Sequence, residues 1–283
     1  MTRPVGAIAL ACLLQTTGCR GPAEAPEDLD GLARFFFNRF APKNDDLTDA
    51  DPAVSDAEIQ DGIARLHDVL DGDALNEPQL GTLADITAEE LATAGLPDAD
   101  PQRPQGMFIA DIVRCSLDRL EDIIRTDDQL SLYPEAYAAY SRVNDADRPQ
   151  YNPTWVSTFT SADNALFTNQ FTAVTHSGLR KVPDVERSSG EPAPFGRVLT
   201  SRVVMPEPAT FEQPSDSVAY QNDFQVEVFY PRAEGELVHF YGMWRFMKLG
   251  VLGDSGSDLF IDQTTGGMID WDKKTSVLCE EAP

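Results

Sequence analysis

Midway along this chain the spacing of apolar residues changes from three-and-four to two, and that change limits the fold to a few classes. Leu29, Leu32, Phe36 and Phe40 recur at the spacing of one helix face. Ile59, Ile63, Leu66 and Leu70 do the same. From Thr154 onward, Trp155, Ser157 and Phe159 alternate with Val156, Thr158 and Thr160, which is the period of a strand. Helices followed by a run of strands predict an α+β fold: an N-terminal helical layer, then a twisted antiparallel β-sheet of about six or seven strands. A β-sandwich with a separate helical domain is the alternative.

Local signals place the elements. Ser55-Asp56-Ala57-Glu58 and Thr87-Ala88-Glu89-Glu90 are capping boxes, each predicting a helix start. The stripe Ile109, Ile112, Val113, Ser116, Leu117, Leu120, Ile123 and Ile124 predicts the longest helix, from about residue 105 to 126. Pro134 at a first helical position, with Tyr137 and Tyr140 on one side, predicts another. Strands are predicted near residues 166–176, 197–205, 218–230 and 237–249, the last two joined by a hairpin at Arg232-Ala233-Glu234-Gly235. The strand from Leu237 is apolar on both faces and belongs at the centre of the sheet. Two short strands, 258–262 and 268–271, are predicted to close the chain around Thr265-Gly266-Gly267.

The amino terminus carries the layout of an export signal: Thr2-Arg3, an apolar stretch from Val5 to Leu14, then small residues. That stretch, about ten residues, is short of the roughly 20 that span a bilayer. Cys19 follows Thr16-Thr17-Gly18 directly, and this resembles the lipobox of bacterial lipoproteins. The resemblance implies cleavage before Cys19, a diacylglycerol on its thiol and an acyl chain on its new amino group. With Arg20 rather than aspartate next, it implies an outer-membrane address, plain secretion or a periplasmic location being the alternative. The predicted divisions are a signal at residues 1–18, a tether at 19–27, a helical region at 28–145 and a β region at 146–283, the last two forming one domain. The chain also resembles uncharacterised bacterial lipoproteins of the same helices-then-sheet layout, which implies no activity.

Of four cysteines, Cys12 leaves with such a signal and Cys19 is lipidated, so Cys115 and Cys279 are expected to pair, since an oxidising compartment permits a disulfide. Two buried thiols are the alternative. Apolar residues at 42% and charged residues at 24% are globular values. A formal charge of −25 without a basic cluster excludes nucleic acid as a partner. The lipobox resemblance implies that the membrane is reached through the N-terminal lipid, and a protein or small-molecule partner is left open.

Chemistry-bearing residues are sparse. Gly253-Asp254-Ser255-Gly256 resembles the nucleophile loop of chymotrypsin-like proteases, but no partner motif accompanies it, and these are also ordinary residues of a tight loop. His67, His176 and His239 lack zinc-ligand spacing. Asp254 and Asp258, with Asp262, Asp270 and Asp272, offer oxygen ligands but no calcium-loop spacing, so no metal and no cofactor are expected. His239 is the one candidate for a catalytic base, weighed against a buried, hydrogen-bonded histidine. Trp155, Tyr241, Trp244 and Arg245 are the candidates for an apolar ligand pocket with a polar group in it, weighed against plain aromatic core.

Three roles follow: a lipid-anchored envelope protein that binds a partner or small ligand without catalysis, a structural surface component, or a hydrolase with a cleft over the sheet at His239. An open concave sheet face favours the first. A filled face with an exposed apolar patch favours the second. A strongly shifted His239 beside a carboxylate in a cleft favours the third.

Overall fold

The computed structural model describes residues 25–40, 55–93, 96, 98, 105–144, 153–162, 169–249 and 258–281. Cys19, Asp254 and Ser255 lie outside these residues.

The N-terminal helices form where their caps begin. Helix α1 (Leu29–Arg39) starts at Asp28, whose carboxylate accepts from the Gly31 amide at 2.7 Å. Helix α2 (Asp56–Leu70) starts with the Ser55/Glu58 capping box, both reciprocal bonds present, and stops at Asp71 in the left-handed region at φ 48°. Helix α3 (Ala88–Thr93) follows the second capping box: Thr87 N–H donates to Glu90 Oε2 at 2.8 Å, and Glu90 N–H to Thr87 Oγ1 at 3.2 Å.

The strands are β1 (Gln79–Leu83), β2 (Gln105–Val113), β3 (Tyr137–Asn144), β4 (Thr154–Ser161), β5 (Phe171–Val182), β6 (Val198–Val204), β7 (Thr210–Phe211), β8 (Val218–Ala233) and β9 (Glu236–Leu249). They form one nine-stranded sheet in the order β1-β2-β9-β8-β6-β5-β4-β3, with β7 paired to β5 off this path. Every pairing is antiparallel. Two short helices, α4 (Leu117–Arg125) and α5 (Gln129–Leu132), link β2 to β3, and α6 (Asp258–Glu280) ends the chain. No helix among the described residues is long and apolar enough to cross a membrane.

The α+β class holds, with a helical N-terminal region and one antiparallel sheet of nine strands in place of six or seven, and β1, β2 and β3 lie inside the region expected to be helical. Three element assignments are corrected. Residues 105–113 form β2 rather than the first half of a long helix. Only Leu117–Arg125 is helical there, capped by Ser116, whose hydroxyl accepts from the Arg119 amide. The helix proposed at Tyr137 and Tyr140 is the edge strand β3, and the two short C-terminal strands are the single helix α6.

β9 shows why the sheet is covered twice. Val238, Phe240 and Trp244 point to one face and join Leu32, Phe36, Phe37, Ile59, Ile63 and Leu66 of α1 and α2. Gly242, between them, lets α1 come close: a Cβ there would lie 3.2 Å from that of Ala33. Leu237, Tyr241, Met243 and Met247 point the other way, to the face on which α6 lies through Phe260, Ile261, Met268, Ile269 and Trp271. Both faces of the central strands are therefore core, as the two-sided apolar pattern from Leu237 requires.

Candidate functional site

The face beneath α6 carries a set of buried and half-buried ionisable side chains from β2, β8 and β9 on a largely apolar surface. Alternation along β8 directs Asp223, Gln225, Glu227 and Phe229 to it, and alternation along β9 directs His239, Tyr241, Met243, Arg245 and Met247 to it. β2 adds Met107, Ile109 and Asp111, and β6 adds Ser201. These residues form two groups.

The first group centres on His239, which is 1% exposed. Its Nδ1 lies 2.7 Å from Oδ1 of Asp272 on α6, and its Nε2 lies 3.8 Å from Glu227 Oε1. The ring stacks on Phe229 at 4.2 Å, with Trp271 at 5.7 Å. Ser201 donates its hydroxyl hydrogen to the other oxygen of Glu227. Burial opposes charge on the imidazole, but Asp272, Glu227 and Asp111 outweigh it and raise the His239 pKa above its ordinary value. Burial likewise pushes the Glu227 and Asp111 carboxyls up, His239 opposing the push on both. Buried and hydrogen-bonded, His239 ties the last helix to the sheet.

A pH dependence follows. A raised folded-state pKa adds stability that is complete below the ordinary histidine value and is lost as pH rises through the folded value. The wild type is therefore expected to melt at a lower temperature once pH passes that raised value, because neutral His239 leaves Asp272, Glu227 and Asp111 without its charge. His239→Gln should flatten this alkaline limb in a series of thermal melts. An unchanged limb would show that another group sets it.

The second group surrounds Asp223, which is buried. Its Oδ2 accepts from Arg245 Nη2 at 2.8 Å, from Gln225 Nε2 at 2.5 Å and from the Tyr220 hydroxyl. The Arg245 guanidinium lies 5.5 Å over the Tyr220 ring. Burial works against the Arg245 charge, but Asp223 with Tyr220 and Tyr241 holds its pKa above the usual value. Burial drives both tyrosine hydroxyls well above theirs. Asp223 Oδ1, Arg245 Nε, His239 Nε2 and Asp272 Oδ2 are buried without a hydrogen-bond partner among the described residues. Unmatched buried polar atoms are rare in native proteins and each costs about 1–3 kcal/mol, more when charged.

Beside these groups lies an apolar surface of unusual composition. The chain has six methionines. Met107, Met205, Met243 and Met247 are buried together under the N-terminal part of α6, with Met268 of α6 packed on them. Every methionine after the first residue is thus in one cluster, which Phe211, Tyr220, Tyr241 and Phe260 complete. Methionine is unbranched and polarizable, so such a surface adapts to shapes that a rigid aliphatic wall rejects.

The structure separates the four residues proposed for a pocket. Tyr241 and Arg245 share the α6 face. Trp244, adjacent in sequence, points to the opposite face, donates from Nε1 to the Ala84 carbonyl at 2.9 Å and meets Phe37 edge-on at 5.6 Å. Trp155 stands on β4 among Leu179, Leu199 and Phe229, under the Arg142 guanidinium at 4.4 Å. Cys115 and Cys279 form a disulfide with Cα atoms 5.3 Å apart, joining the β2–α4 connection to the end of α6. Asp258 is exposed at the start of α6, and no group of three metal-ligating side chains exists among the described residues. Sequence reasoning missed Asp223 and Glu227, and it weighed Asp272 only as an oxygen ligand for a metal, not as the partner of His239. The signal was present for the first two: Asp223, Gln225 and Glu227 recur at every second position of a strand whose other residues are mostly apolar.

No known family profile and no curated protein matches the chain. Among solved structures it is similar to a STAR-related lipid transfer protein fragment from Xanthomonas axonopodis, at 9% identity and TM-score 0.42, over 73% of this chain and 95% of that one. It is similar to human StAR-related lipid transfer protein 5 at 10% identity and TM-score 0.41, over 80% and 96%. It is also similar to dicamba monooxygenase at 10% identity and TM-score 0.37, over 63% and 49%. Likeness at this level, to transfer proteins and an oxygenase alike, assigns no activity, and the functional reading rests on this chain's own residues.

Proposed function

We propose that the chain is an exported ligand-binding protein, anchored through a lipid on Cys19, that holds a small amphipathic molecule between α6 and the inner face of the sheet without chemical change. α6 covers the face that a ligand would occupy, so the reading requires α6 to move aside, and the observation that carries it is the methionine cluster buried beside the Asp223–Arg245 group. It offers an adaptable apolar wall next to buried polar atoms with unused hydrogen-bonding capacity, the usual composition of a small-molecule site. An apolar body would rest on Met107, Met243 and Met247, and a hydroxyl or other polar end would reach Asp223 Oδ1 or Arg245 Nε. His239 is held by Asp272 and covered by Trp271, which supports a tying role for it over that of a base. The Cys115–Cys279 disulfide supports a location outside the reducing cytoplasm.

Native mass spectrometry of the full chain, released gently from cell envelopes, tests the binding. Adducts of a few hundred daltons that organic extraction removes are expected, and the Arg245→Met variant should carry several-fold less. Bare protein from several preparations, with no uptake of added amphiphiles, would contradict the reading. Metabolic labelling with a fatty-acid analogue tests the anchor: the wild type should take label and Cys19→Ala should not. Equal labelling of the two, or none in either, would remove the anchor.

A further inference from the structure

Helix α6 is held very unevenly along its length. Among the described residues it is tied to the body at six places between Trp271 and Cys279. Asp272 binds His239 at 2.7 Å, and the Thr275 and Tyr133 hydroxyls lie 2.9 Å apart. Ser276 accepts from the Arg114 amide at 3.0 Å, and the Leu278 carbonyl accepts from Arg119 at 3.2 Å. Cys279 is bonded to Cys115, and the Trp271 ring is stacked on Tyr133. The stretch from Asp258 to Thr265 rests on the sheet through the apolar side chains of Phe260 and Ile261, and the Thr265 hydroxyl turns back to the helix carbonyls of Ile261 and Asp262.

Between the two stretches stand Gly266 and Gly267, in the interior of a 23-residue helix. Glycine is the least favourable ordinary residue at such positions, apart from proline. Neither is explained by its surroundings. A Cβ at either would meet nothing within 4 Å, and neither has the positive φ that favours glycine. Alanine would fit both places and strengthen the helix.

We propose that Gly266–Gly267 is a hinge about which Asp258–Thr265 lifts off the methionine cluster while Trp271–Cys279 stays fixed, and that this opening admits the ligand. The second clause rests on the binding reading above, and the first does not. The disulfide and the His239–Asp272 contact hold the far end as the anchored leaf of the hinge.

Hydrogen exchange on the full, ligand-free chain tests it. Amides of residues 262–266 should exchange at least about tenfold faster than those of 272–279, as expected of local opening. In the Gly266→Ala/Gly267→Ala variant the fast amides should slow by about 15- to 30-fold, the sum of two glycine effects in a helix interior, with residues 272–279 unchanged. Uptake of the neutral probe N-phenyl-1-naphthylamine, followed by stopped-flow fluorescence, should slow in the variant by a similar factor. Equal exchange in the two stretches, or a variant that exchanges like the wild type, overturns the hinge. If the exchange pattern appears and the probe does not bind, the hinge stands and the binding reading falls.

Discussion

Replacing both Cys115 and Cys279 by serine is expected to destabilise the protein by about 2–5 kcal/mol. The bridge closes a span of 164 residues. The chain-entropy account gives about 5 kcal/mol for a loop of that length, while native disulfides usually contribute the lower figures. Urea unfolding of the oxidised wild type and the double variant measures the difference, and a change under about 1 kcal/mol would mean that the bridge adds little to this fold. Because Cys279 lies in the last turns of α6, the variant should also lose protection in residues 272–279 before any part of the sheet. Dithiothreitol on the wild type should reproduce both effects, and it should leave the double variant unmoved.

The second large effect is expected at Trp244→Ala, a loss of about 3–5 kcal/mol. Trp244 is fully buried between the sheet and α1, against Phe37, and its indole N–H satisfies the Ala84 carbonyl. Truncation leaves a cavity and an unpaired acceptor together. Val143→Ala gives the contrast: Val143 is 71% exposed on the edge strand β3, and its removal should change stability by no more than about 0.5 kcal/mol. Denaturant midpoints for the two variants check the pair. A mild Trp244→Ala would place that side chain outside the core and undo the assignment of the two sheet faces.

How much of this was legible before the structure depends on which force shapes each element. The starts of α2 and α3 are written locally, in capping boxes that satisfy amides within three residues, and the sequence showed them; the Asp28 cap of α1 is equally local but was not read. The β8–β9 hairpin is written locally too, in Arg232–Gly235 between two apolar runs, with Gly235 at φ 74°. β2 was misread because it is buried on both faces. Met107 and Ile109 face α6 while Ala110 faces α1 and α2, and a two-sided apolar run also matches a helix stripe. α6 was misread for the opposite reason. Its glycines and threonines are poor helix formers, and Cys115, His239 and Tyr133, all distant in sequence, hold it.

The same distinction governs the candidate site. The Cys115–Cys279 pair was read correctly because it followed from compartment chemistry rather than geometry. His239 is buried and bonded in the structure, and its partner Asp272 sits 33 residues away, on a helix where the sequence reading placed two short strands. Trp244 and Arg245 were grouped as an aromatic wall and a polar group of one pocket. Neighbours in a strand point to opposite faces, and only Arg245 belongs to the side that matters here.

The claim on which the functional account turns is that an apolar molecule comes to lie on the methionine face under α6. Selective carbon-13 labelling of the methionine methyl groups reads that face directly, since Met107, Met205, Met243, Met247 and Met268 are all in one cluster. Titrating N-phenyl-1-naphthylamine into the full chain should shift several of those five methyl signals in step, with saturation at one equivalent. Binding of the probe with all five signals unmoved would place the ligand elsewhere and contradict the account.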